Sequence, residues 1–278
     1  DIKVVGITGS VGKTSTKETI SYVLNKKYKV LKTEGNFNNE IGLPLTVFRL
    51  RDDDEVAVLE MGISDFGEMD RLSKIAQPDI SVITNIGLCH LENLKTRDGI
   101  LKAKTEIFNN MKPDGIAILN GDDDKLITVD EVNGKKPERF GINYKDGVYA
   151  KDIENLGLIS GLNCVDGCKD FEVTVPVPGH HMIYNALAAA CVGAALELTS
   201  AQIADGIADL KTISGRNNII KTSKYTLIDD CYNANPVSMK ASVDVLDMAI
   251  GRKVCILGNM YELGENEKNL HYDVGQYI

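Results

Sequence analysis

Residues 4–17, VVGITGSVGKTSTK, contain the residue types that bind phosphate groups. A short apolar run leads into a glycine-rich turn, and Lys13, Thr14 and Ser15 then open a helical pattern. The backbone N–H groups of such a turn, together with the positive end of the helix dipole, bind phosphate oxygens. We therefore expect Lys13 to reach the β- and γ-phosphates of a nucleotide and the Thr14 hydroxyl to bind Mg²⁺.

The glycine spacing in this stretch differs from the common phosphate-binding pattern G-x-x-x-x-G-K-[ST], whose first glycine would fall on Ile7. The chain has the shorter TGSVGKT, which implies a tighter turn. Its position between an apolar run and a helical pattern favours phosphate binding, and the alternative is an ordinary turn with a solvated lysine. The expected nucleotide contacts are Thr8, Gly9, Ser10, Gly12, Lys13, Thr14 and Ser15.

Length and charge limit the other possibilities. The 278 residues suggest about two domains, and the net charge of −9 argues against nucleic acid as the main partner. No apolar run approaches the roughly 20 residues of a membrane span, and the N-terminus lacks a signal-peptide pattern, so no membrane insertion is expected. The chain starts at Asp1 inside a predicted strand, which suggests an excised region.

The six cysteines are scattered, and several lie in apolar patterns. This usage predicts reduced core thiols and a cytoplasmic location. Cys164 and Cys168 form one C-x-x-x-C pair without a second pair or a histidine nearby, so the spacing does not favour a zinc site.

Two candidate metal ligands follow predicted strands. Glu60 ends the strand predicted over Asp54–Glu60, and His90 comes shortly after the strand predicted over Pro78–Thr84. Ligands of open α/β sheets bind at the carboxyl ends of the strands, where both side chains are expected. The alternatives are a helix cap or surface acid for Glu60 and a structural role for His90.

Asparagines form a second group of candidates. Asn36, Asn38 and Asn39 lie in the polar stretch 34–46, which reads as a loop that either forms turns or contacts substrate. Asn185 is the polar exception in an alanine-rich helix predicted over Gly179–Leu198, where it either satisfies neighbours or faces a ligand.

Strands and helices alternate at least five times, which predicts an α/β fold with a parallel sheet flanked by helices. Residues 128–178 read as a small antiparallel appendage. In the helix predicted over Asp98–Met111, periodicity makes Lys102 and Lys104 surface lysines. A second, incomplete β-α-β unit follows, with these predicted elements: strands Ile219–Lys221, Tyr225–Asp229 and Lys253–Leu257, and helices Pro236–Ala249 and Glu265–Ile278.

Taken together, nine ordered stretches resemble the Mur ligase family of ATP-dependent amide-bond ligases. They are TGSVGKTSTKE (8–18), NFNNEIGLPLT (36–46), EMG (60–62), TNIGLCHLE (84–92), KAKTEIF (102–108), HMIYNALAA (181–189), SGR (214–216), DDCYNANPVSM (229–239) and LGNMYELGE (257–265). The shorter phosphate loop is the family's form. The resemblance implies a central ATP-binding domain over residues 1–213 and a partial Rossmann-like C-terminal domain over 214–278.

The resemblance also implies a reaction. ATP, with two Mg²⁺ ions, would activate a carboxylate as an acyl phosphate, and an amine would then displace phosphate. Likeness to the dipeptide-adding branch implies UDP-MurNAc-peptide and D-Ala-D-Ala as substrates. The alternatives are a folylpolyglutamate- or cyanophycin-synthetase-like ligase, a nucleotide-binding module without turnover and a GTPase-type switch.

Individual roles follow from the same resemblance. Lys13, Lys104 and His90 would be catalytic, and Lys104 aligns with the lysine that is carbamylated in this family. The metal ligands would be Thr14, Glu60, His90 and the carbamate of Lys104. In the nucleotide, Asn185 would contact adenine, Arg216 would contact the phosphates, and Asp230 would lie near the ribose. Asn36 and Asn38 would lie near the acceptor substrate. Met182 and Asn259 depart from the residues common in relatives.

Overall fold

A nine-stranded sheet organises the larger part of the computed structural model, which describes residues 2–155, 159–167 and 169–278. The strands are β1 (Lys3–Thr8), β2 (Val30–Lys32), β3 (Val56–Glu60), β4 (Ile80–Ile83), β5 (Ile116–Asn120), β6 (Glu138–Gly141), β7 (Val148–Asn155), β8 (Ser160–Asp166) and β9 (Lys169–Val175). Their order in the sheet is β2-β3-β1-β4-β5-β6-β7-β8-β9. The pairs from β2 to β7 are parallel, and β7-β8 and β8-β9 are antiparallel.

The predicted α/β class with a mostly parallel sheet is confirmed, with one difference in the region 128–178. The antiparallel strands continue the main sheet instead of forming a separate appendage, because β6 joins them to β5. This four-residue strand was not predicted. Within the predicted C-x-x-x-C pair, Cys164 is a buried free thiol, and Cys168 lies outside the described residues.

Helices cover both faces of the sheet. They are α1 (Lys13–Leu24), α2 (Gly42–Val47), α3 (Glu68–Ala76), α4 (Leu91–Leu94), α5 (Arg97–Thr105), α6 (His180–Ala195), α7 (Ser200–Ala208), α8 (Pro236–Asp247) and α9 (Glu267–Tyr277). Side chains alternate along each strand, so Val5 of β1 packs in one core with α1, α6 and α7, and Val4 packs in the other with α3 and α5. None of the helices in the described ranges is long and apolar enough to cross a membrane.

The predicted loop 34–46 contains a short helix instead of lacking packed structure. The side chain of Asn39 accepts hydrogen bonds from the backbone N–H groups of Ile41 (3.1 Å) and Gly42 (2.8 Å), which starts α2. Asn39 is therefore a turn former, one of the two roles that the sequence left open for the asparagines.

The C-terminal part departs from the predicted β-α-β unit. Strands β10 (Asn218–Lys221) and β11 (Thr226–Asp229) form an antiparallel hairpin, and α8 and α9 follow as expected. The strand predicted over Lys253–Leu257 is absent from these described residues, and Ile256 is 94% exposed. A strand needs a neighbour for its backbone hydrogen bonds, and within the described ranges the hairpin pairs only with itself.

Candidate functional site

The turn between β1 and α1 has a backbone that favours glycine at two positions. Gly9 has φ +151°, and a Cβ atom there would lie 1.9 Å from the Thr84 hydroxyl oxygen. Gly12 has φ +81° and caps α1 in the left-handed conformation. The close approach of β4 and the tight entry into α1 therefore explain why glycines flank this turn.

The end of β4 holds the turn in place. Asn85 accepts a hydrogen bond from the Val11 N–H through its side chain (3.0 Å) and one from the Ser10 N–H through its backbone (3.0 Å). The Ser10 hydroxyl donates to the Gly87 carbonyl and accepts from the Gly87 N–H. Ser10 thus supports the turn, while the first N–H groups of α1 lack intrahelical partners, as at the helix N-termini that bind anions. Spacing alone did not identify Asn85.

Two cavities meet at this turn. One of about 740 Å³ extends towards α6 and α8, and one of about 540 Å³ extends towards the end of β3. Gly12 and Arg216 line both cavities. Among the other predicted site residues, Ser15, Asn185 and Asp230 line the larger cavity, and Ser10, Lys13, Thr14, Asn38, Glu60 and His90 line the smaller one.

The lining of these two cavities does not include every predicted site residue. Thr8 is fully buried at the end of β1, and Gly9 packs against Thr84. Asn36 is exposed, and its carbonyl accepts a bond from the Asn38 N–H. The predicted acceptor contact through Asn36 has no support from this geometry, and it stays a prediction.

Glu60 is a buried carboxylate at the end of β3, beside Ile7 of β1. Its Oε1 accepts a hydrogen bond from the Asn38 side-chain amide at 2.8 Å, and its backbone N–H donates to the Thr33 hydroxyl. Its Oε2 is buried without a hydrogen-bond partner among the described residues, with Lys17 Nζ 4.0 Å away. A buried carboxylate oxygen without a hydrogen bond is suited to binding a cation.

Lys17 is a site residue that the sequence analysis missed. Its side chain is 2% exposed, and its Nζ donates to the Thr33 carbonyl at 2.7 Å and lies 3.0 Å from Glu18 Oε1. Lys17 therefore places a positive charge beside Glu60. Its spacing of four residues from Lys13 on α1 would have placed the two lysines on one helix face.

His90 starts α4 with a left-handed backbone, φ +50°. Its Nδ1 lies 2.5 Å from Glu262 Oε2, a carboxylate from the C-terminal part of the chain. Burial lowers the pKa of His90, the nearby Lys104 and Lys13 lower it further, and Glu262 opposes the shift. The neutral imidazole that results retains a lone pair for a metal ion.

Lys104 is fully buried, which makes the periodicity-based prediction of a surface lysine wrong; Lys102 is exposed as predicted. Its Nζ has no hydrogen-bond partner among the described residues. Burial, together with the charge of Lys13, lowers the pKa of Lys104 to about 7. The amine is therefore largely neutral near pH 8 and is nucleophilic.

Asn185 and Asp230, the two residues predicted to contact adenosine, also contact other side chains and backbone groups of the protein. Asn185 accepts a hydrogen bond from the Thr16 hydroxyl at 2.9 Å, and its amide lies 3.2 Å from the Met182 sulfur. Asp230 accepts the Asn217 N–H at 3.1 Å and a Ser242 hydroxyl. These contacts fix both side chains at the wall of the larger cavity.

Arg216 lies where both cavities open. Its guanidinium stacks on the Tyr232 ring at 4.2 Å from the ring centroid, which fixes a positive charge near the glycine turn. The described residues contain no cluster of three or more histidine, cysteine, aspartate or glutamate side chains able to hold a metal ion. Any metal bound here would therefore rely on Thr14 and on nucleotide oxygens as well.

Comparison with known proteins gives two family matches. The Mur ligase middle domain matches residues 7–193, and the Mur ligase glutamate ligase domain matches residues 215–278. Two relatives named UDP-N-acetylmuramoyl-tripeptide–D-alanyl-D-alanine ligase, from Bacillus subtilis and Escherichia coli, are 41% and 37% identical over 99% of this chain. The chain spans 60% and 61% of their lengths.

Solved structures give the same result. A MurF structure from Acinetobacter baumannii has a TM-score of 0.94 and 36% identity, over 99% of this chain and 60% of that one. The MurF ligase from Thermotoga maritima in complex with ADP has a TM-score of 0.91 and 35% identity, over 100% of this chain and 64% of that one. The chain belongs to the Mur ligase family.

Proposed function

We propose that this chain is the ATP-binding and catalytic part of a cytoplasmic ligase that joins D-Ala-D-Ala to UDP-MurNAc-tripeptide during peptidoglycan precursor synthesis. Relatives with that name match nearly the whole chain, and one similar structure is a complex with ADP. The observation that carries the proposal is the single cavity lined by Lys13, Thr14, Glu60 and His90. Residues 1–213 would form the ATP-binding domain, and residues 214–278 part of the Rossmann-like ligase domain.

Charge neutralisation dominates the barrier when a carboxylate approaches a triphosphate. Lys13 Nζ already folds over the turn, where it donates to the Gly9 carbonyl at 2.9 Å. Together with the free N–H groups of α1 and the stacked Arg216, it would hold the phosphates. The larger cavity, with Asn185 and Asp230 in its wall, would take adenosine.

Magnesium fits the smaller cavity because Glu60 Oε2 is buried there without a hydrogen bond. Thr14, Glu60 and His90 would hold two Mg²⁺ ions with the help of nucleotide oxygens. Bound Mg²⁺ neutralises the charge that develops on the transferred phosphoryl group. Asn38 and Lys17 would keep the carboxylate of Glu60 oriented towards the cavity.

Lys104 would act as a carbamate. Its neutral amine would attack the carbon of CO₂; the N–C bond forms as one C=O π bond opens onto oxygen, and the nitrogen loses a proton to water, so that a neutral amine becomes an anion. The support is the buried amine without a partner, whose pKa of about 7 leaves it unprotonated under mild conditions. The carbamate would replace a buried amine that has no hydrogen-bond partner, and its oxygens would serve as ligands for the second Mg²⁺.

The reaction would proceed in two displacements. A substrate carboxylate oxygen attacks the γ-phosphorus of ATP, the bond to ADP breaks, and an acyl phosphate forms. The amine of D-Ala-D-Ala then attacks the acyl carbon, phosphate leaves with the electrons of the broken C–O bond, and the proton lost by the nitrogen passes to the phosphate. Lys13 and the α1 N–H groups would stabilise charge in the first displacement, and His90 in the second would hold the metal that neutralises the departing phosphate.

The first test is nucleotide binding by this chain. We expect ATP with Mg²⁺ to bind in preference to GTP, Lys13→Ala to abolish binding, and Glu60→Ala to raise the Mg²⁺ concentration required. Lys102→Ala, an exposed lysine outside both cavities, is the matched control. Wild-type affinity in both site variants would refute the site.

The second test concerns the substrates. Phosphate release and amide formation should require UDP-MurNAc-tripeptide together with D-Ala-D-Ala. Glutamate with a folate acceptor serves as the competing acid and amine pair. Turnover only with the competing pair would assign the chain to another branch of the family, and guanine preference in the binding titration would favour a GTPase-type switch.

A further inference from the structure

Asn185 lies where two packed helices form the wall of the larger cavity. It belongs to α6 and is 5% exposed, and Thr16 of α1 and Met182 of α6 line the same cavity. Met182 precedes Asn185 by three residues, so the two side chains share one face of the helix. An ideal Cβ atom at Gly12 would lie 3.5 Å from Asn185 Oδ1. The amide is therefore next to the phosphate turn, where that turn meets the space proposed for adenosine.

Two contacts hold the two polar atoms of the Asn185 amide. The Thr16 hydroxyl donates to Oδ1 at 2.9 Å, and Nδ2 donates to the Met182 sulfur at 3.2 Å. A thioether sulfur carries no proton and can only accept, so the reversed amide would bring its oxygen lone pairs against the sulfur. Thr16 is fully buried, which shields its hydrogen bond from water. The amide therefore has one preferred orientation, with Oδ1 towards Thr16 and Nδ2 towards Met182.

The Asn185 amide can make hydrogen bonds beyond these two contacts. A primary amide has two N–H donors and an oxygen that accepts two hydrogen bonds. Within the part of the chain that the structure describes, Thr16 and Met182 use one acceptor and one donor position, so one of each remains for a ligand in the larger cavity. An asparagine amide matches the 6-amino group and a ring nitrogen of adenine, whereas a 6-oxopurine presents an acceptor where adenine presents that donor.

We propose that Thr16 and Met182 are positioning residues that hold the Asn185 amide in one orientation, and that this orientation selects a 6-aminopurine nucleotide over a 6-oxopurine nucleotide. The fixed Oδ1 would accept a hydrogen bond from the adenine amino group, whereas the oxygen of a 6-oxopurine would face a second oxygen. An amide free to turn over would offer its N–H to that oxygen instead. This inference rests on the proposed ATP site and names the residues that set its base specificity.

Inosine triphosphate (ITP) is the matched probe for ATP, because its base is a 6-oxopurine without the additional 2-amino group of guanine. Calorimetric titration of this chain with each nucleotide and Mg²⁺ gives the ratio of the two dissociation constants. We expect the wild type to bind ATP about 10- to 100-fold more tightly than ITP. Asn185→Ala should abolish this preference, because it removes the group that contacts the base.

Substitution of the two positioning residues should lower the same ratio. Thr16→Val keeps the branched shape and removes the hydroxyl, and Met182→Leu removes the sulfur. Each should reduce the preference for ATP by about threefold or more, and the double variant should bring the two dissociation constants close together. A packing defect alone would weaken the binding of both nucleotides alike and leave their ratio unchanged.

Thr19→Val is the matched control for Thr16→Val. Thr19 is buried on the same helix and lines the same cavity, but its hydroxyl donates to the Ser15 carbonyl at 2.8 Å and not to Asn185. This variant should keep the wild-type ratio of the two dissociation constants. Thermal unfolding confirms that each variant folds.

Binding by the wild type distinguishes failure of this inference from failure of the proposed function. A wild-type chain that binds ATP no more tightly than ITP, or a double variant that keeps the wild-type ratio, would overturn the inference and leave the ATP site in place. An unchanged ratio in Asn185→Ala would also overturn it, since other groups would then select the base. If the wild type binds neither nucleotide, the proposed function fails and the inference fails with it.

Discussion

Replacing Lys104 with methionine should stabilise the chain strongly at pH 6 and much less near pH 10. The amine is fully buried without a hydrogen-bond partner among the described residues, and methionine has a similar volume without a charge. The substitution therefore removes a buried titratable group and leaves packing nearly unchanged.

The magnitude follows from the two pKa values of Lys104. Burial, with the charge of Lys13, lowers the pKa from 10.5 in the unfolded chain to about 7 in the folded one. That difference of about 3.5 pH units, at 1.36 kcal/mol each, is worth about 5 kcal/mol. Below pH 7 the Lys104 amine is protonated in both the folded and the unfolded chain, so the folded chain carries the full cost of the buried charge. Between pH 7 and 10.5 the unfolded state binds more protons, so the free energy of unfolding rises with pH.

Urea unfolding in CO₂-free buffer, from about pH 6 to pH 10, measures this difference. The stability advantage of Lys104→Met should shrink as pH rises, while Lys102→Met, on the same helix but exposed, should run parallel to the wild type. Added bicarbonate should stabilise the wild type alone, since a carbamate forms only on the folded-state amine. Parallel curves for wild type and Lys104→Met would show that the amine is hydrated or paired, and would refute the reasoning.

Three further predictions test the supporting structure. Gly9→Ala should lower the free energy of unfolding by about 2–4 kcal/mol, because the new Cβ would clash with the Thr84 hydroxyl. Gly35→Ala, at a position with positive φ but open space around it, should lower the free energy of unfolding by only about 1 kcal/mol. Equal effects of the two substitutions in urea unfolding would contradict this prediction. Lys17→Met should lower the free energy of unfolding by about 3–5 kcal/mol, because it removes the positive charge beside Glu60. Adding Glu60→Gln to this variant should recover part of the loss. If the effects of the two substitutions simply add, the two side chains are not coupled. Burial raises the pKa of Asp122, but three backbone N–H bonds hold it below 3.8. Asp122→Asn should therefore cost about 2 kcal/mol near pH 7 and less below pH 4; a pH-independent loss would exclude the linkage.

Local patterns were sufficient for the elements around the phosphate turn. The apolar run of β1, the two glycines and the helical spacing of α1 each depend on residues close in sequence, and the structure forms all three. Glu60 was placed correctly at a strand end because the carboxyl ends of parallel strands share one edge of the sheet.

The helical spacing around Lys104 indicated a buried position, but its residue type led to the wrong prediction of a surface lysine. Ile100, Ala103, Lys104 and Ile107 follow the spacing of one buried helix face, and all four are buried. The charge of lysine favoured a surface position, which is correct for most lysines. Burial is the main cause of its lowered pKa, and the one charged neighbour that lowers the pKa further, Lys13, comes from the distant start of α1.

The sequence by itself determined the strands and helices around the phosphate turn, the turn itself and its family, because these depend on spacing within short stretches. The tertiary structure alone decided which polar groups meet: Asn85 on the turn, Lys17 beside Glu60, and Glu262 on His90. It also left residues 253–257 without a strand, since backbone groups need a partner strand nearby. The physical reason is that contacts between distant segments depend on how the layers pack, and no local pattern records that packing.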